Sequence, residues 1–124
     1  MTDVPIEVRV KTHYIAEQSD PGDQRFVYAY TITIRNQSHT AAQLISRHWL
    51  ITNGDNVTQE VRGDGVVGEQ PHLNPGEEYT YTSGVVLETE FGTMEGSYQM
   101  RTDNGDIFDA PVPTFALVPP YALH

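Results

Sequence analysis

A chain of 124 residues lies near the commonest size of one domain, and its 38% hydrophobic and 10% aromatic content exceeds what a disordered segment carries. With a formal net charge of -10 and only seven Lys and Arg, it lacks the cationic clusters on which general nucleic-acid binding runs. The absence of Cys excludes disulfides, thiolate nucleophiles and thiolate metal sites.

Met1-Thr2-Asp3-Val4-Pro5 has neither the basic nor the apolar region of a secretory leader, and no apolar run approaches a membrane span. The expectation is a soluble cytoplasmic protein without membrane insertion. In a chain that is not secreted, the triplets Asn36-Gln37-Ser38 and Asn56-Val57-Thr58 have no meaning as glycosylation acceptors.

The dominant hydrophobic period is two. Ile6, Val8 and Val10 alternate with Glu7, Arg9 and Lys11, which predicts a strand with one buried face. Glu17 to Arg25 is polar loop. Phe26, Tyr28, Tyr30, Ile32 and Ile34 alternate with Val27, Ala29, Thr31 and Thr33, so the first set is predicted core. Leu44 to Thr52 is a nearly continuous apolar run that ends at the turn Asn53-Gly54-Asp55-Asn56, with Val57 to Arg62 as the returning strand. Leu73-Asn74-Pro75-Gly76 is a second turn, where Pro presets φ and Gly supplies a positive φ, and Tyr79 to Leu87 follows as a strand. Tyr98 to Thr102 and Ile107 to Val112 flank the turn Asp103-Asn104-Gly105-Asp106, and Phe115 to Val118 is a candidate closing strand before Pro119-Pro120. Seven or eight short strands predict an all-β sandwich of two antiparallel sheets, with a small closed barrel as the alternative. Immunoglobulin-type domains bury a Trp on the third strand and place a corner Tyr two residues before the second Cys. Trp49 falls on the third predicted strand, and Tyr98 is the candidate corner, with Met100 where that Cys would stand.

The named motif is Gly63-Asp64-Gly65-Val66-Val67-Gly68, formally GxGxxG. Dinucleotide-binding folds follow that motif with a helix whose N-terminus receives the pyrophosphate. Here Pro71 and Pro75 exclude the helix, which rules out a dinucleotide fold. Two readings remain: an anion-binding nest of backbone N–H groups, or a glycine-rich connection whose two valines pack inward. Glu88 and Glu90 share a strand face, and with Glu95 they form a candidate site for a hydrated Mg²⁺ or Co²⁺. A solvated acidic face is the simpler explanation of all three. His48 and His72 are centrally placed candidates for acid–base work, but no Ser stands in an elbow such as GxSxG. Period two puts Arg47 on one face with Ile45, Trp49 and Ile51, where it needs a carboxylate partner or lays its stem along aromatic rings. The apolar segment Ala110 to Tyr121 is either an edge that accepts a partner strand or one protected by its own prolines.

Read together, Ser46-Arg47-His48-Trp49-Leu50-Ile51-Thr52, Gly63-Asp64-Gly65-Val66-Val67-Gly68-Glu69-Gln70-Pro71, Leu73-Asn74-Pro75-Gly76-Glu77, Tyr81-Thr82-Ser83-Gly84 and Gly92 to Met100 resemble the bacterial ApaG family over nearly the whole chain. The resemblance implies one domain, residues 1–124, with an immunoglobulin-like or fibronectin-III-like sandwich. It implies an association with cobalt resistance and magnesium efflux, and it links the chain to eukaryotic domains that act as protein-interaction modules. It carries over no catalytic residues and no cofactor. The family's glycine motif matches Gly63, Gly65 and Gly68, and with it comes the idea of a phosphate ligand. The expectation is a non-enzymatic binding module with an unidentified protein partner and an indirect role in Co²⁺/Mg²⁺ homeostasis. The alternative is a phosphate, nucleotide or divalent-cation sensor that uses the Gly63 to Gly68 loop or the carboxylates of Glu88, Glu90 and Glu95.

Overall fold

A computed structural model describes residues 5–122; Met1 to Val4, scanned above for a leader, lie outside the described residues. Eight strands follow in order: β1 (Ile6–Tyr14), β2 (Phe26–Asn36), β3 (Ala42–Asn53), β4 (Thr58–Asp64), β5 (His72–Leu73), β6 (Glu78–Leu87), β7 (Gly92–Thr102) and β8 (Ile107–Leu117). They form two antiparallel sheets, β1-β2-β6 and β4-β3-β7-β8, with β5 added to β3. If β1, β2, β3, β4, β6, β7 and β8 are taken as A, B, C, C′, E, F and G, this is the strand partition of an immunoglobulin or fibronectin-III sandwich. The alternative of a closed barrel is therefore replaced by two separate sheets. Among the described residues, no helix is long and apolar enough to cross a membrane.

The alternation of β2 does what period two predicts. Phe26, Tyr28, Tyr30, Ile32 and Ile34 are all buried, each such burial being worth about 1.5–3 kcal/mol. Val27 is buried as well, because residues 15–25 fold back on the start of β2 through two short 3₁₀ turns. Ile15 N–H donates to the Val27 carbonyl at 2.8 Å, and Val27 N–H donates to Ser19 Oγ at 2.9 Å. At the other end of β2, Asn36 is fully buried and satisfied. Its Nδ2 donates to the carbonyls of Thr40 and Leu73, and its Oδ1 accepts from the N–H and Oγ of Ser38.

Trp49 is 3% exposed on β3. Its indole ring meets Tyr30 at 5.9 Å and Tyr98 and Phe115 at 6.0 Å each, all edge to face, the preferred aromatic geometry. Among the described residues no hydrogen-bond acceptor reaches its Nε1. Tyr98 is not a corner tyrosine. It stands in the middle of β7, fully buried, and its hydroxyl pairs with that of Tyr81 on the opposite sheet at 2.5 Å. Met100 is buried in the core where the analogy put a Cys.

Three further corrections concern register. A bulge between Leu44 and Ser46 shifts the phase of β3, so Leu44 rather than Ile45 shares the buried face with Trp49. β7 begins at Gly92, six residues before the predicted strand. Phe115 does not start a new strand, because β8 runs from Ile107 to Leu117 through both Pro111 and Pro113. Gly96 is what lets β7 lie against β3. A methyl at its Cα would stand 2.0 Å from the His48 carbonyl oxygen and 2.9 Å from the Trp49 ring. Gly96→Ala is expected to destabilise the chain by about 1–3 kcal/mol through overpacking, seen as a lower urea midpoint with unchanged slope; a wild-type midpoint would contradict this packing.

Candidate functional site

The glycine motif lies where β4 leaves the sheet. β3 and β4 pair with Arg47 opposite Gly63, and the Arg47 guanidinium lies over that glycine, 2.7 Å from where a Cβ would be. From there Nη1 donates to the carbonyls of Asp64 and Gly65, both at 2.9 Å. The partner of Arg47 is thus backbone rather than a carboxylate, and both carbonyls are satisfied by a charged donor. Gly65 has φ +61, and a Cβ there would stand 2.3 Å from the Glu69 carbonyl oxygen, so glycine is required on both counts. Its N–H donates to the Ile45 carbonyl at 2.8 Å.

Val66 is fully buried and anchors the loop in the core. Val66 and Glu69 exchange N–H···O bonds at 2.8 and 2.9 Å, closing a turn whose central residues, Val67 (φ +42) and Gly68 (φ +82), are both left-handed. That is the pattern of a type I′ turn. Only one of the two motif valines packs inward; Val67 is 55% exposed at the tip, a strained position for a β-branched residue. Gly63 and Asp64 end β4, and in the loop that follows the Gly65 amide is bonded to β3 while those of Val66 and Glu69 are bonded to each other's carbonyls. The chain then continues into β5 rather than a helix.

The carboxylates of Glu88, Glu90 and Glu95 face different neighbours. Glu95 Oε2 accepts from Thr114 Oγ1 at 3.1 Å on β8, and Glu90 Oε2 accepts from the Tyr121 hydroxyl at 3.2 Å. Glu88 lines a groove beside Val57 and Gln59. Among the described residues no three His, Asp or Glu side chains are grouped to hold a metal ion. His48 and His72 each contact one carboxylate, Glu60 at 2.6 Å and Asp103 at 2.8 Å. The His48 hydrogen bond and then the Arg62 charge hold the Glu60 carboxyl below its ordinary range. Burial pushes the hydroxyls of Tyr81 and Tyr98 well above the ordinary tyrosine range, so both stay protonated.

One surface escaped the sequence reading. Val57 is 61% exposed, Phe91 53% and Val86 49%. Val57 and Val86 line one groove with Ile51 and Leu87, and Phe91 lines the adjoining one across the Asn53–Gly54 turn. Each is a single apolar residue in a turn or on an edge, and no periodic pattern marks it. Only the placement of the β3–β4 and β6–β7 turns side by side groups them.

Two antiparallel sheets packed as a fibronectin-III-like sandwich, with a clamped glycine loop, place the chain in the class of all-β sandwich proteins. Within that class, the chain belongs to the ApaG family: the family described as "ApaG domain" matches residues 16–102. Protein ApaG of Pseudomonas aeruginosa and that of Thiobacillus denitrificans are each 59% identical over 119 residues, covering 96% of this chain and 94% of theirs. Among solved structures, an ApaA protein from Bordetella pertussis superposes with a TM-score of 0.91 at 50% identity, covering 93% of this chain and 94% of that one. A protein from Archaeoglobus fulgidus, with a TM-score of 0.57 at 10% identity, shares the fold alone.

The Arg47 clamp has a measurable signature. Arg47→Met keeps the stem but strands two carbonyls, and is expected to cost about 1–3 kcal/mol and to speed amide exchange at Gly65 and Val66. Arg47→Lys is expected to recover only part of this, because one ammonium does not reproduce the guanidinium fork. Unchanged exchange in the methionine variant would show that the loop holds itself.

Proposed function

We propose that this chain is a non-enzymatic protein-interaction module whose part in Co²⁺ and Mg²⁺ homeostasis is indirect, exerted through a partner protein. The observation that supports this most directly is the apolar end formed by Val57, Val86 and Phe91. Single exposed apolar side chains are ordinary, but a contiguous group rimmed by polar residues marks a contact surface. The link to cations comes from the family resemblance. An indirect role fits carboxylates that engage separate neighbours instead of one another.

The competing reading is a sensor that binds phosphate, a nucleotide or a divalent cation directly. It would have to use the Val67 and Gly68 amides at the tip of the loop, where Asp64 and Glu69 bring negative charge, or the dispersed carboxylates of Glu88, Glu90 and Glu95.

In a strain lacking this chain, the wild-type protein is expected to restore growth in Co²⁺. A Val57→Glu/Phe91→Glu variant with an unchanged unfolding midpoint is expected not to. Calorimetric titration of the purified chain with Co²⁺, Mg²⁺ or pyrophosphate is expected to give no saturable heat. One-to-one Co²⁺ binding with paramagnetic broadening at Glu88, Glu90 and Glu95, or pyrophosphate shifts confined to the Gly63 to Gly68 loop, would replace the indirect role with a direct one.

A further inference from the structure

The two sheets leave four edges, and three are guarded. β1 carries Glu7, Arg9 and Lys11 along its length, and charges discourage pairing with a foreign strand. β8 places Pro111 and Pro113 two residues apart. Since its other side pairs with β7, these prolines remove donors from the open side, which is where sheets tolerate proline. The C-terminal segment is therefore the protected edge of the two alternatives raised by its sequence. β4 is only seven residues long and carries Glu60, Arg62 and Asp64.

β6 is the exception. Among the described residues its sole strand partner is β2. From Tyr79 to Leu87 it reads Tyr-Thr-Tyr-Thr-Ser-Gly-Val-Val-Leu, with no charge and no proline in a chain of net charge -10. Its outward N–H and C=O groups find no acceptor or donor among the described residues. Beyond its Val86–Leu87 end opens a groove of ≈ 220 Å³ lined by Ile51, Val57, Val86 and Leu87, with Gln59 and Glu88 at its margin. Among the described residues Glu88 is in no salt bridge or side-chain hydrogen bond.

We propose that the open edge of β6 receives an extended segment of a partner protein as a fourth strand of the β1-β2-β6 sheet, that segment bearing an apolar side chain for the Ile51/Val57/Val86/Leu87 groove next to a Lys or Arg for Glu88. This rests on the protein-interaction reading and names its surface. Main-chain hydrogen bonds supply the affinity of strand addition, and alternate side chains supply its selectivity. Charge selects the occupant. A second copy pairing antiparallel about Ser83 would set Glu78 of one chain opposite Glu88 of the other, with ten net negative charges on each. Glu78 is already paired with Arg9 at 2.9 Å, so it is Glu88 that a basic, apolar strand meets with the opposite sign.

The test is an amide NMR titration of the whole chain with a short blocked peptide alternating Val with Lys and Thr, and with its Glu-for-Lys counterpart. The Lys peptide is expected to shift Tyr79 to Leu87 with Ile51 and Val57, and to show strand-type contacts to β6. Val86→Lys, on the exposed side of the strand, is expected to weaken it about tenfold or more, while Ile107→Lys on β8 leaves it unchanged. Shifts on another edge, equal binding of the Glu peptide, no saturable shift at millimolar peptide, or a dimer built through β6 would each overturn the proposal. Failure here beside loss of Co²⁺ growth in the Val57→Glu/Phe91→Glu variant would leave the interaction reading standing with a different surface. Success here beside normal growth of that variant would do the reverse.

Discussion

Trp49 is packed between the sheets with the ring edges and faces of Tyr30, Tyr98 and Phe115 around it at 5.9–6.0 Å. Each of those residues comes from a different strand, so the indole fixes β2, β3, β7 and β8 relative to one another. The buried Tyr81 and Tyr98 hydroxyls then join the two sheets between β6 and β7, a link separate from the position where immunoglobulin domains bridge their second and sixth strands by a disulfide. A polar pair in such a place is tolerated because one hydroxyl donates to the other, so that neither oxygen is left without a partner. Everything further out inherits its position from this centre. Period two puts Arg47 on the Trp49 face while the bulge at Leu44/Ser46 brings Leu44 onto it, Arg47 reaches the Asp64 and Gly65 carbonyls, and the glycine loop takes its shape from that reach.

Where sequence alone is decisive, the reason is local. β2 announces itself because five large apolar residues at period two have no helical face to occupy, and the turns at residues 53–56, 74–77 and 103–106 follow from Gly, Pro and Asn chemistry. What it hides is settled across strands. Gly92-Thr93-Met94-Glu95-Gly96 looks like a loop because its glycines carry no propensity for strand. Yet a side chain at either glycine would collide with a β3 carbonyl, of Thr52 or His48 respectively. Pro111 and Pro113 suggest an edge protected by its own prolines, and on the open side of β8 they do remove donors that had no acceptor. Trp49 is legible as a sandwich landmark, whereas Tyr98 is legible only as a buried aromatic, since the identity of its hydroxyl partner depends on how the sheets stack.

The candidate site divides in the same way. The six residues of the glycine motif are contiguous, so a linear reading finds them; their bonding is not, since it runs through Ile45, Arg47 and Glu69. The carboxylates of Glu88, Glu90 and Glu95 are close in number, but the β6–β7 turn and β7 send them to separate neighbours. The open strand β6 is illegible in principle. Whether a strand has one neighbour or two is a property of sheet order, and nothing within Tyr79 to Leu87 records it.

Sheet order also governs when the molecule can exist at all. β2 lies beside β1 soon after both are made, but its other neighbour pairs Phe26 with Leu87 and Arg35 with Glu78, and β3 waits still longer for β7. At a synthesis rate of about 5–20 residues per second, roughly 3–10 s separate the emergence of Asn36 from that of Leu87. During that interval only the β1–β2 pair and the β3–β4 hairpin with β5 are available, each marginal in water on its own, because β6, β7 and β8 have yet to be made. The two early hairpins thus present their apolar faces unpaired while β6 to β8 are still being made, and the cooperative fold waits for those last strands, which complete both sheets.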